Sequence, residues 1–370
     1  MNNRPQLICA YRVYYPDQHI NPFGYIHKLF FQGMAARDRF NIVTKYSGLN
    51  YVPKNDYDTL VGFNQSMTFE TLIEKRVEYI LNKAKAENKI IVVLWSGGID
   101  STFVLVNLLA RKSSDQVLEI VYNDISLKDC NPDILQFIKR TGIKMHYSNH
   151  QVIIDLVETT YHPGEYICVT GVCSDQVCIL GKLLDRRDLL PLPWEDAVER
   201  YIDEYMNSGP YFAQHKFSKD IIKAELEKLP VSVKTWAQFG MFWNNNVKSN
   251  KVPYDLAMLA QTDYYRENEI AFFNTTDYLN WGLVNLLPKL GNTHLDKDNT
   301  EYKAHLKESV VKITGIESFK YMLKTRSHWH DETNDYFRVL DTEGFKNLGI
   351  YNGFKKYDVL REMYPIPINR

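Results

Sequence analysis

Continuous apolar runs and helix-period segments alternate through the middle of the chain. Over 68–88 the apolar residues Leu72, Ile73, Val77, Ile80, Leu81 and Ala84 recur at helical spacing, which predicts a helix leading into a strand. That strand, Ile90-Ile91-Val92-Val93-Leu94-Trp95, is apolar at every position, as a parallel strand covered on both faces would be. A second, largely apolar helix is expected over 101–110, then a strand over 118–122, a helix over 133–141 ending at Gly142, and a strand over 143–147. A further strand over 166–169 precedes a turn and a helix over 174–185. This rhythm predicts an α/β fold with a doubly wound parallel sheet and right-handed crossovers. In such sheets ligands lie at the carboxyl ends of the strands, near the point where strand order reverses.

The flanks read differently. Residues 1–67 are aromatic and turn-rich (Tyr11, Tyr14, Tyr15, Pro16, Pro22, Phe23, Gly24, Tyr25) and predict a small N-terminal α+β segment of short strands and turns. Pro191-Leu192-Pro193 marks a break, after which the chain reads as mostly helical to about residue 323. Residues 328–370 form an irregular or mixed tail. The organisation expected is therefore 1–67, a central domain over 68–327, and 328–370.

Composition narrows the function classes. With 370 residues, 45% of them hydrophobic, the chain has ample material for a core. A net charge of -1 and a pI near 6.8 argue against a nucleic-acid partner. No stretch approaches the ~18 consecutive apolar residues of a membrane helix, and Met1 to Leu7 lack a leader's apolar core. A cytoplasmic protein is expected. The five cysteines (Cys9, Cys130, Cys168, Cys173, Cys178) contain no C-x-x-C pair, so they are expected to be reduced thiols that pack as small apolar groups, not zinc ligands. Tyr264-Tyr265 and Phe272-Phe273 are expected in a core, and His328 and His330 on the surface of the tail.

The candidate chemistry sits at Ser96-Gly97-Gly98-Ile99-Asp100-Ser101, between an apolar strand and an apolar helix. Two glycines remove the Cβ atoms that would hold a phosphate away from backbone N–H groups, and the helix that follows points its positive end at an anion. Ser96 and Ser101 add hydroxyls. Asp100 repels phosphate unless a cation bridges the two, so its presence predicts Mg²⁺. At average residue usage, the five specified positions arise by chance in a chain this long at well under ~1 in 1,000. The bland alternative is a strand-to-helix turn in which Asp100 or Ser101 only caps the helix. No G-x-x-x-x-G-K-[ST] occurs.

Strand, Ser-Gly-Gly-x-Asp-Ser, helix resembles the signature of the PP-loop, or N-type, ATP pyrophosphatases, and its surroundings are most similar to the synthetase domain of the asparagine and β-lactam synthetases. The resemblance covers 68–327 and implies an adenine nucleotide α-hydrolase-like fold that binds ATP and Mg²⁺, with Leu94, Ser96, Gly97, Gly98, Asp100 and Ser101 on the nucleotide. Residues 133–147 resemble the family's helix and third strand. Val169-Thr170-Gly171-Val172-Cys173-Ser174-Asp175-Gln176 resembles its second nucleotide loop, which implies Thr170 and Gly171 against the adenosine and Asp175 as a second magnesium ligand beside Asp100. Glu267-Asn268-Glu269-Ile270-Ala271-Phe272-Phe273-Asn274 resembles a stretch that would make Glu267 catalytic, although Glu269 stands where arginine is usual. Lys303, Lys307 and Lys324 resemble the lysines that face the phosphates. Lysines on a helix face are ordinarily solvated, so Lys324 is carried forward as the catalytic candidate.

The resemblance implies an AMP- and pyrophosphate-forming ligase that adenylates a small-molecule carboxylate and passes it to an amine; a homodimer is compatible with it. The segment before residue 68, beginning Met1-Asn2, is less than half the size of the relatives' glutaminase domain, so ammonia from glutamine is not expected. Val172 stands where relatives carry glutamate or tyrosine, leaving Glu267 as the base or a nucleophile that needs little help. Two other readings stay open: adenylation of a base carbonyl in a nucleoside or RNA, and a nucleotide-binding protein with reduced catalysis.

Overall fold

The structure, a computed structural model, describes residues 6–9, 12–13, 66–148, 157, 160–178, 188–197, 200, 223, 226–227, 232–246, 268–287, 303–322, 336–340 and 347–352. Its centre is a five-stranded, all-parallel sheet. Numbering from the N-terminus, β1 (Gln6–Cys9) and β2 (Arg12–Val13) belong to a second sheet, and the central one contains β3 (Ile90–Leu94), β4 (Leu118–Tyr122), β5 (Lys144–Tyr147), β6 (Tyr166–Thr170) and β7 (Glu269–Ala271). Their order is β5-β4-β3-β6-β7. The chain steps outward from β3 to β5, then returns to lay β6 on the other side of β3, so the order reverses between β3 and β6. The α/β class expected from the alternation is what the chain forms.

Burial explains why these segments are strands. Ile91, Val92 and Val93 are fully buried, as are Ile167, Cys168 and Val169, so both faces of the two central strands are covered. Helix α1 (Phe69–Ala86) buries the face predicted for it: Leu72, Ile73, Val77, Ile80, Leu81 and Ala84. Thr68 caps that helix by accepting a hydrogen bond from the Thr71 N–H at 3.1 Å. Helix α2 (Ile99–Arg111) is buried almost all round. After β4 come α3 (Asp124–Asp129), with Asn123 and Ser126 in a reciprocal capping pair, and α4 (Pro132–Arg140), with Asn131 as cap and proline in its first position. Phe272 and Phe273 are fully buried, in keeping with their expected core position; Tyr264 and Tyr265 lie outside the described residues.

Two elements depart from expectation. The helix expected over 174–185 is interrupted early: α5 (Ser174–Val177) ends at Cys178, which is extended, and 179–185 lie outside the described residues. Side-chain amides of α6 (Trp236–Asn246) hold this short turn: Asn244 Nδ2 donates to the Asp175 carbonyl and Asn245 Nδ2 to the Gln176 carbonyl. Strand β7 falls in a region read as helical. Three residues, one of them acidic, make too short a run to show as a strand, yet Ile270 pairs with Val169. Arg76 of α1 closes the end of β7, donating to the carbonyls of Phe272 at 2.9 Å and Ala271 at 2.8 Å.

Downstream lie α7 (Thr276–Trp281), a π-helical turn over Gly282–Leu286, and α8 (Ala304–Thr314), which packs along α2. The buried amide of Asn107 in α2 bonds the hydroxyl of Ser309 in α8 at 3.2 Å. In the second sheet, β1 pairs antiparallel with both β2 and β8 (Tyr336–Leu340), and β8 with β9 (Asn347–Asn352). The two ends of the chain thus share one sheet, with Leu7 opposite Val339.

Away from the carboxyl edge, Glu119 of β4 is buried with the Tyr161 hydroxyl and His146 Nε2 each 2.6 Å from its Oε2, and Lys144 at 3.3 Å from Oε1. Burial alone raises its pKa, but the hydrogen bonds from Tyr161, His146 and Lys144 outweigh it and hold the carboxyl below its ordinary 4.5. A carboxyl with a depressed folded pKa stabilises the fold above its unfolded pKa and loses that contribution as the pH falls through the folded one. Glu119→Gln is therefore expected to flatten the acid limb of a stability–pH curve below about pH 4.5. An unchanged limb in urea titrations at several pH values would count against this.

Candidate functional site

The site is assembled where the central strands end. Val93 of β3 lies beside Val169 of β6, so the two chains leave the sheet almost level with one another at the reversal point. The first turn carries Ser96 to Ser101 and the second carries Gly171 to Asp175. They touch: a Cβ on Gly171 would lie 2.7 Å from the backbone carbon of Asp100 and 2.7 Å from the Ser101 nitrogen. Only glycine allows this approach, and the approach sets the spacing of the two aspartates.

The glycines of the first turn have different reasons to be there. Gly97 has φ +75°, and a Cβ on it would sit 2.0 Å from the Ser126 carbonyl oxygen of α3. The fold itself requires it. Gly98 has an ordinary φ of -75°, and a Cβ would meet nothing closer than Ser96 Oγ at 3.4 Å. Among the described residues nothing requires glycine at that position, which leaves a surface open to an approaching group. Gly98 is also the N-cap of α2 and supplies no side-chain cap, whereas α1, α3, α4 and α7 are capped by Thr68, Asn123, Asn131 and Thr275.

The serines divide their roles. Ser101 is buried; its Oγ accepts from the Ser96 N–H at 3.1 Å and lies 3.0 Å from Ser96 Oγ, so it braces the turn from within. Ser96 is exposed, and Leu94 ends β3 half-buried. In the second turn, buried Thr170 donates to Glu269 Oε1 at 2.7 Å, which ties β6 to β7. Glu269, where the resemblance calls for arginine, therefore has a structural partner. Val172 is half-buried against the core.

At the centre is Lys303, just before α8. Its Nζ lies 2.6 and 2.5 Å from the two carboxylate oxygens of Asp100, 2.9 Å from Asp175 Oδ1 and 2.7 Å from Ser174 Oγ. The lysine side chain is 3% exposed, against 30% for Asp100 and 26% for Asp175. Lys307, one turn along, is buried as well; burial and then the Lys303 ammonium bring its pKa down to about 8. The expectation that lysines on this helix are solvated is overturned for both. Glu267 and Lys324, the catalytic candidates, lie outside the described residues, as do His328 and His330.

Sequence reasoning also missed the supports. Ser174 joins the lysine, and Asn244 and Asn245, both fully buried, fix the backbone that carries Asp175. The run Asn244-Asn245-Asn246 at the end of a mostly apolar, aromatic helix was the available signal. Among the described residues three non-glycine residues have positive φ, and two of them, Cys173 at 72° and Lys303 at 55°, bracket the aspartate pair. Such conformations persist only where the surroundings enforce them.

This donor set suits Mg²⁺. Two carboxylates and a hydroxyl converge on one cationic point, and magnesium takes oxygen ligands, commonly one or two carboxylates together with phosphate oxygens. The cysteines do not join it. Cys168, Cys173 and Cys178 are buried, and burial, with Asp100 and Asp175 adding to it against the pull of Lys303, pushes the Cys178 thiol up to about 12.

No protein-family model matches the chain. It is similar to two curated proteins, both UDP-N-acetylglucosamine 1-carboxyvinyltransferases: one from Prochlorococcus marinus strain MIT 9515 and one from Prochlorococcus marinus subsp. pastoris strain CCMP1986. Each is 31% identical over 137 residues, which cover 36% of this chain. The matched stretch spans only 29% of those relatives' own length. Among the described residues, no helix is long and apolar enough to cross a membrane.

Proposed function

We propose that this chain binds Mg²⁺ and ATP at the turn after β3 and splits the nucleotide between its α and β phosphates, activating a carboxylate that an amine then attacks. The observation that carries this reading is the meeting of Asp100 and Asp175, from adjacent strand ends, on a single buried cation. The parallel sheet and its reversal point agree with an adenine nucleotide α-hydrolase-like fold, and the open Gly98 agrees with a phosphate on the α2 N-terminus.

In this mechanism the N–H groups at the start of α2 and the exposed Ser96 hydroxyl bind phosphate oxygens, while Ser101 keeps the turn in shape. Asp100 and Asp175 would hold Mg²⁺, which would supply charge neutralisation for the departing pyrophosphate. The substrate carboxylate oxygen attacks the α-phosphorus, the bond to the bridging oxygen breaks, and pyrophosphate leaves with the electron pair. Lys303 and Lys307 place two further positive charges beside that developing anion. Glu267 is the proposed base for the amine and Lys324 a further phosphate contact, both by resemblance.

The test is pyrophosphate release from ATP in the presence of pooled carboxylates and amines, with hydroxylamine as trap. A hydroxamate identifies an acyl adenylate. Pyrophosphate without hydroxamate favours an activated base carbonyl in a nucleoside or RNA, and nucleotide binding without release favours a catalytically reduced binder. The partial similarity to the two transferases supports a second reading, group transfer to a nucleotide sugar. Under that reading UDP-N-acetylglucosamine, not ATP, would raise the melting temperature, and no pyrophosphate would form.

Gly98→Ala separates function from fold. Because its Cβ meets no backbone and its φ suits alanine, the expected stability cost is only that of alanine as a poorer N-cap, ~0.5–1 kcal/mol. Nucleotide affinity should fall by about tenfold, ~1.4 kcal/mol, as the methyl intrudes on the phosphate. Parallel thermal melts and titrations with a non-hydrolysable ATP analogue measure both, and undiminished affinity would remove the phosphate from this turn.

A further inference from the structure

We infer that Lys303 is a tethered counter-ion that keeps divalent metal out of the site until nucleotide arrives. The inference rests on the nucleotide reading above but concerns the state before nucleotide binds. Asp100 and Asp175 both face the point occupied by Lys303 Nζ, at 2.5 to 2.9 Å, with Ser174 Oγ completing the shell at 2.7 Å. That is the location a bridging metal would take, and the ammonium there is almost entirely sealed from water.

Charge decides the competition. The two carboxylates are partly neutralised by Lys303, with the buried Lys307 one turn away adding positive potential. A bare divalent cation entering this site must displace an ammonium held by three side chains, and it meets repulsion from both lysines. A polyphosphate reverses the balance: its oxygens give the displaced ammonium a new partner and complete the metal's coordination. Metal and nucleotide therefore enter together. The left-handed backbone of Lys303, at φ 55°, fixes where the side chain starts and sets its reach to the carboxylates.

The experiment is a titration of the full-length protein with Mn²⁺ alone, followed by electron paramagnetic resonance, on the wild type and on Lys303→Met, which keeps the aliphatic stem without the charge. The wild type is expected to bind Mn²⁺ weakly, and Lys303→Met at least ~10-fold more tightly. Lys303→Arg, which retains the charge, should exclude the ion as the wild type does. With α,β-methylene-ATP present, wild-type protein should take up one Mn²⁺ per site. Equal binding of Mn²⁺ alone by wild type and Lys303→Met overturns the counter-ion role while leaving the nucleotide site standing. If the wild type takes up neither Mn²⁺ nor the ATP analogue in any combination, the nucleotide reading falls and this inference with it. Should Lys303→Met not fold, the wild-type titration still decides: tight binding of Mn²⁺ alone, at or below about 100 µM, overturns the role.

Discussion

Asp100→Asn is expected to lower nucleotide turnover by about 10³-fold or more, ~4 kcal/mol of lost transition-state stabilisation. The amide matches the carboxylate in size but carries no charge for the metal and offers the ammonium one acceptor oxygen in place of two. It removes one of the two anions on which the site is centred and leaves Lys303 with Asp175 alone. The loss should appear in kcat more than in KM, because charge on the leaving pyrophosphate develops in the transition state. Stability should change little by comparison, since Asp175 and Ser174 still partner the buried ammonium. Pyrophosphate assays on both proteins give the answer; a variant that retains more than about a tenth of wild-type turnover would remove Asp100 from the chemistry.

Gly97→Ala should produce the largest loss of stability, about 3–5 kcal/mol. Two independent costs add. The left-handed φ of +75° disfavours any residue with a Cβ by ~1 kcal/mol or more. The new atom would then lie 2.0 Å from the Ser126 oxygen and 3.0 Å from the Cys130 nitrogen, both backbone atoms, one within α3 and one just past its end. No flexible side chain is available to move aside, so the turn or the whole of α3 must shift. Urea unfolding gives the value, and the contrast with Gly98→Ala, next to it in sequence, is the sharper test. Equal effects at the two positions would mean that one glycine does not answer to the fold and the other to a ligand.

Much of the sheet was legible because its strands are short apolar runs buried on both faces, and the phosphate turn was legible because two glycines and an aspartate stand between such a run and an apolar helix. The aspartate pair was legible only through resemblance: Asp175 looks like any helix-start acid until Gly171 is seen pressed on the Asp100 backbone. Lys303 was not legible as the centre. Two hundred residues separate it from Asp100, and a lysine on a helix face gives no sign in sequence of being sealed between two turns. Strand β7 and the pairing of β1 with β8 escaped for a related reason, since each is defined by a partner far away in the chain and not by its own pattern.

The parallel course of α2 and α8 has one more consequence. Asp100 opens one helix and Lys303 immediately precedes the other, and the Asn107–Ser309 bond joins them seven and six residues further on. At 1.5 Å per residue that bolt lies ~10 Å below the ion pair. The two helices therefore work as a clamped pair of rods whose tips are held in register from a distance. A change of length or polarity at Asn107 would slide one tip past the other, and a position remote from any ligand would then govern how well the jaws meet.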